Sequence, residues 1–147
     1  MDFNIRLPLD VAFVFTANPE DYTNRGSIVT PLKDRIQSQI LTHYPSTLEL
    51  GLKISDQESK VPKGAEKINL DFVVKSIVEQ VAVEARNSEY VDEKSGVSAR
   101  LTISLREAVL ASALRRMSIN SDKKDVVRIS DIFASIQAIN GKVELVY

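Results

Sequence analysis

The sequence predicts an α/β segment followed by an α-helical domain, mainly α overall. Three observations lead there. An apolar run from Val11 to Thr16 is cut short by Asn18-Pro19. A stripe of Leu70, Val73, Val74, Ile77, Val78, Val81 and Ala85 repeats at helical spacing. A second helical pattern follows in Leu101, Leu105, Ala108, Leu110, Leu114 and Met117. The first is dense enough in β-formers to be a central strand covered on both faces, the end of a parallel sheet. The expected organisation is an α/β portion over residues 1–60 and a helical domain over 61–147.

Taken in order, residues 3–7 alternate Phe3, Ile5 and Leu7 with Asn4 and Arg6, a half-exposed strand stopped by Pro8. Asn18-Pro19 ends the strand at 11–16, because proline lacks a donor and restricts the residue before it. Thr30 is a suitable N-cap with Pro31 at the first helical position, predicting a short helix over 31–37. Ser38 to Tyr44 reads as another strand, closed by Pro45. Leu48, Leu52 and Ile54 have helical spacing over 46–58, opposed by Gly51. The stretch Ser59-Lys60-Val61-Pro62-Lys63-Gly64 reads as a linker. The two long helical patterns follow, separated by a polar loop from Asn87 to Ser98. After a polar break at 120–124, Ser130 is placed to cap a last helix carrying Ile132, Phe133, Ile136 and Ile139, with Asn140-Gly141 as its end. Val143 to Tyr147 alternates like the start of a strand.

Composition narrows the function. The 147 residues carry a formal net charge of −1, so there is no general attraction to nucleic acid or anionic lipid. No cationic stripe with interleaved aromatics appears either. The chain has no cysteine and one histidine, His43, so thiolate and histidine-cluster metal sites are excluded and a cytoplasmic location is expected. No apolar run approaches the ~20 residues that span a bilayer, and the first residues are not a signal peptide. The pairs Arg115-Arg116 and Lys123-Lys124 read as solvated faces, and Arg86 has no evident role.

Three residues stand out chemically. Asn18 lies at the carboxyl end of the apolar strand, where open α/β sheets place their chemistry, and its amide can orient a water against a phosphate. Its plain alternative is a strand-ending turn. Arg35 offers the planar, permanently charged fork that suits a γ-phosphate, or it merely favours the end of a short helix. Arg100 stands where a helix should begin. There a cation opposes the helix dipole, so helix stability does not explain it, and helix end plus arginine make an anion site.

The order of these residues resembles a known family. The strand, Asn18-Pro19-Glu20-Asp21, the loop with Arg25 and Gly26, and Leu32-Lys33-Asp34-Arg35 resemble the sensor 1 and arginine-finger region of AAA+ ATPases, in the magnesium-chelatase and MoxR-type branch. Ser95-Gly96-Val97-Ser98-Ala99-Arg100-Leu101-Thr102-Ile103 resembles the sensor 2 segment of that branch. Ile36 is a departure, since family members commonly carry Phe there. The resemblance implies that the first portion ends a nucleotide-binding sheet and that the helices form the lid. It implies Asn18 and Arg35 as catalytic residues, the latter acting on a neighbouring subunit's nucleotide, and Arg100 as a nucleotide contact. ATP and Mg2+ are the implied cofactors of the parent protein. A homo-oligomeric ring and a remodelled partner or metal-insertion substrate are the implied associations. No G-x-x-x-x-G-K-[ST] and no apolar strand ending in Asp-Glu are present, so this chain alone is not expected to hydrolyse ATP. The competing expectation is a non-catalytic helical interaction module.

Overall fold

The computed structural model describes residues 10–16, 34–91, 97–123, 125–140 and 142–143. The expected strand at 3–7, Asn18, Arg25 and the terminal residues 144–147 lie outside them. The chain divides into two compact units, Met1–Leu41 and Thr42–Tyr147.

In the first unit, residues 11–16 belong to no strand. Val11, Phe13, Val14 and Phe15 are 53–90% exposed, and the rings of Phe13 and Phe15 stack with centroids 6.1 Å apart. Asp34 and Arg35 form a turn followed by irregular chain, not the helix expected over 31–37. Ser38 to Tyr44 is likewise no strand, and Ile40 and Leu41 are exposed. These are corrections to the α/β expectation, with one cause. A strand is stabilised by a neighbour that pairs its backbone and covers its side chains, and no such ladder exists among the described residues.

The second unit is helical, as the periodicity predicts. It contains α1 (Leu48–Glu58), α2 (Phe72–Asn87), α3 (Leu101–Asn120) and α4 (Ile129–Ala134), then a 3-10 turn at Ile136–Ala138. Thr47 caps α1, its hydroxyl accepting from the Leu50 amide at 3.3 Å. Asp71 caps α2, its carboxylate accepting from the Val74 amide at 3.0 Å. The cap of α4 corrects the sequence reading. The helix starts at Ile129, and Asp131, rather than Ser130, satisfies its end by accepting from the Arg128 amide at 2.8 Å. Asp131 at this first turn is also on the favoured side of the helix dipole. Helix α3 stops at Ser121, whose left-handed backbone (φ 50°) directs its amide back to the Met117 carbonyl.

The core is organised along α3. Near its start Leu101 packs with Ala82, Val91 and Val97. In its middle Leu105 and Val109 meet Val74 and Val78 of α2, with Ile132 and Ile139 closing over them. Further on, Leu110 and Ala113 meet Ala65 and Ile68. Residues 59–64 are coil as expected, and the chain straight after them contributes Ala65 to the core. Two short backbone pairings tie loops together: Asn69 with Val126, and Val97 with Val143. Not every stripe residue is inside. Val73, Phe133 and Ile136 are exposed, because the α2 stripe is broader than the groove that receives it and α4 is covered on one side alone.

Leu105 is 1% exposed and lies where α2, α3 and the last turns converge. Leu105→Ala is expected to cost about 2–5 kcal/mol of unfolding free energy through lost burial and the cavity left behind, read from urea denaturation.

Candidate functional site

Of the three residues singled out by sequence, Asn18 lies outside the described residues. Arg35 is exposed in its turn in the first unit. Arg100 belongs to the second unit, exposed at the N-cap position of α3. No side chain caps this helix end. The turn before it is nevertheless firmly held. The Leu101 amide donates to the Ser98 carbonyl at 2.9 Å, and the Ser98 amide donates to the Lys142 carbonyl at 3.0 Å. The Tyr44 hydroxyl donates to the Val97 carbonyl at 2.6 Å, fastening the chain ahead of α1 to the same turn. An exposed guanidinium at a helix start on a fixed turn is a suitable seat for an anion.

A second concentration of polar groups lies where α1, α2 and α3 cross, and the sequence reading did not contain it. Glu79 of α2 is 5% exposed and accepts from the Ser55 hydroxyl of α1. Ser55 Oγ also lies 3.2 Å from Thr102 Oγ1 of α3. Having a single proton, Ser55 donates it to the carboxylate, and Thr102 is the donor in the second contact. Gly51 fits against Glu79: a Cβ there would stand 2.7 Å from Oε2. The glycine read as opposing a helix is therefore a point of close approach inside α1.

Above Glu79 opens a cavity of about 320 Å³, walled by Tyr44, Leu48, Gly51, Val83 and Arg86 among others. Arg86 lies with its guanidinium 4.1 Å from the centre of the Tyr44 ring, a cation–π contact. Its Nε is buried without a hydrogen-bond partner. A glycine within a helical pattern is the sequence signal that could have marked this place. Nothing local reveals that Glu79 and Arg86 share it with Tyr44.

Two charge clusters are structural. On one flank, Asp56 of α1 binds Lys75 of α2 at 2.7 Å and Arg106 of α3 at 2.5 Å. Burial pushes the Asp56 carboxyl up, but the hydrogen bonds and charges of Lys75 and Arg106 outweigh it and hold it below its ordinary value. On the other flank, Arg116 overturns its reading as a solvated residue. Its side chain is 12% exposed and forks onto Asp131, itself 3% exposed, with Nε–Oδ1 at 2.9 Å and Nη2–Oδ2 at 3.0 Å. It also donates to Asp122 and to the Val126 carbonyl, each at 2.8 Å, while Arg128 pairs with Asp122 as well. One guanidinium thus joins α3, the loop after it and α4.

Among the described residues, no group of three His, Cys, Asp or Glu side chains could hold a metal ion. None of their helices is long and apolar enough to cross a membrane. Comparison with known proteins adds no family: no family model, curated protein or solved structure matches the chain.

Arg116→Ala strands a buried Asp131 carboxylate, with an expected loss of about 3–5 kcal/mol in chemical denaturation. For Asp56, a folded-state pKa below the unfolded one means stability present above about pH 4 and lost as pH falls through that range. Asp56→Asn should therefore flatten the acid limb of a stability–pH curve, modestly, since the pair is partly in solvent.

Proposed function

We propose that this chain is the sensor-to-lid portion of an AAA+ ATPase of the magnesium-chelatase and MoxR-type branch. In this reading it ends a nucleotide-binding sheet and adds a helical lid, working in a homo-oligomeric ring. The observation that supports it most is the placement of Arg100, exposed at the uncapped start of the central helix α3, on a turn fastened by Tyr44 and Lys142. A sensor 2 arginine needs such a mounting: a fixed cation at a helix end, open to an anion, borne by a helix rigid enough to transmit its position. The match of Ser95 to Ile103 and of Leu32 to Arg35 supplies the rest of the argument.

The chemistry is phosphoryl transfer from ATP to water, which is mostly positioning and charge stabilisation. Arg100 neutralises charge at the γ-phosphate from the lid. Arg35 supplies the second cation to a neighbouring subunit's nucleotide, its fork matching phosphate oxygens. Asn18 orients the attacking water, its amide oxygen accepting a hydrogen bond from the water and its NH2 donating to phosphate. ATP supplies the labile phosphoryl group, and Mg2+ neutralises its charge. In this reading the Mg2+ ligands would come from the P-loop-bearing portion of the parent ATPase. Lid movement coupled to hydrolysis then drives metal insertion or the remodelling of a partner.

A second reading, a non-catalytic interaction module, is favoured by one observation. Ile129, Phe133 and Ile136 lie at helical spacing along α4 and its extension, and all three are exposed, Phe133 to 69%. The deciding experiment is ATP hydrolysis by a polypeptide from the same reading frame that joins this segment to a P-loop. Arg35→Ala is expected to lower kcat by about 10³-fold or more, as for other arginine fingers. Activity should return when that variant is mixed with subunits that keep Arg35 but lack the P-loop lysine. Unchanged turnover in Arg35→Ala and Arg100→Ala on an active enzyme would overturn the ATPase roles and leave the interaction module.

A further inference from the structure

The cavity between α1 and α2 has an unusual distribution of charge. Along α2, Glu79, Val83 and Arg86 stand at i, i+4 and i+7 and all three line it. The helix therefore presents an acid, an apolar side chain and a base in a row along one wall. Leu48 and Gly51 of α1 form the opposite wall.

Neither charge has an ionic partner among the described residues. Glu79 is 5% exposed, and the hydrogen bond it accepts comes from a neutral hydroxyl, that of Ser55. A carboxylate can accept about four hydrogen bonds, so most of its capacity is unused. Arg86 contacts the Tyr44 face, and its Nε is buried and unsatisfied. Buried charges are ordinarily paired or hydrogen-bonded throughout. These two cannot pair with each other, because two helical turns separate their backbones by about 10 Å. Gly51 matters here: its missing side chain lets the Glu79 carboxylate lie against α1, where a Cβ would stand 2.7 Å from Oε2. The cavity is thus a concave, partly apolar space with two opposite, uncompensated charges at its ends, the usual make-up of a small-molecule site.

We propose that this cavity binds a small zwitterion, its ammonium group on Glu79 and its acid group on Arg86, with the intervening carbons against Val83 and Leu48. Seven residues of helix, about 10 Å along its axis, separate Glu79 and Arg86, so the ligand's charged groups must themselves stand well apart. That suits a short ω-amino acid or a dipeptide better than a free α-amino acid, whose charges are closer together. Tyr44 holds the guanidinium by its ring, so the anion meets a pre-oriented donor. The site does not depend on the nucleotide reading.

The test is a titration of the full chain followed by amide NMR, with 4-aminobutyrate, glycylglycine, glycine, n-butylamine and butyrate as probes. The expected result is saturable shifts confined to residues around Gly51, Val83 and Arg86 with 4-aminobutyrate or glycylglycine. Glycine and the two singly charged probes should bind at least about tenfold more weakly. Glu79→Gln and Arg86→Gln should each weaken binding by at least about tenfold, and Gly51→Ala should block it by crowding Oε2. Should a variant fail to fold by circular dichroism, the probe comparison on the unaltered chain decides. The proposal is overturned if no probe gives saturable shifts at about 10 mM, a concentration that would detect even millimolar affinity. Butylamine binding as tightly as 4-aminobutyrate, or folded Arg86→Gln binding unchanged, would also overturn it.

Discussion

Everything in the helical unit rests on the burial of one helix, α3. Its inward side chains, from Leu101 through Leu105 and Val109 to Ala113, are almost wholly removed from water. They enter three groups of core residues in succession, each completed by a different part of the chain. A small unit has little apolar surface to spare, so a helix that buries a side chain at nearly every turn from Leu101 to Ala113 is the economical solution. The same constraint explains why α4 can be short: it needs to cover one stretch of α3, and it does so with Ile132.

Where side chains at the helix crossings could not be apolar, they are satisfied in two distinct ways. The Arg116 guanidinium and the Asp131 carboxylate meet fork to fork, with further acceptors on the arginine and a further donor on the carboxylate, so their desolvation is offset locally. Glu79 is held by the Ser55 hydroxyl instead, with capacity for further hydrogen bonds beside a cavity. The first arrangement is built for rigidity, since every group has a partner. The second leaves valence open, and this difference separates a structural ion pair from a site able to receive something.

Much of the helical architecture is legible in the sequence because helix signals are local. The apolar spacing, the polar breaks and the start at Leu101 can all be read within a few residues of where they act. What escapes is whatever depends on a distant partner. Val11 to Thr16 has the composition of a strand, yet β-structure requires a second strand that composition cannot guarantee. Arg116 looks solvent-facing beside Arg115 until Asp131, fifteen residues later, folds back beneath it. Glu79 and Arg86 appear as ordinary surface charges at the border of an apolar stripe. Their neighbours Ser55 and Tyr44 come from α1 and from the chain ahead of it. The position of Arg100, by contrast, was readable as the start of a helix, because it follows from local sequence alone.

The Tyr44 hydroxyl closes a loop of 53 residues onto the Val97 carbonyl. Contacts so far apart in sequence reward the chain only after the entropy of closing the intervening segment has been met, and both α1 and α2 lie within that segment. By the general rule that contacts of large sequence separation form late, the bond is expected after α2 and α3 have docked. An interaction absent from the transition state acts on the rate of escape from the native state rather than on the rate of reaching it. Tyr44 is in this sense a kinetic latch: it lengthens the lifetime of the turn that carries Arg100 while contributing little to how fast the unit assembles.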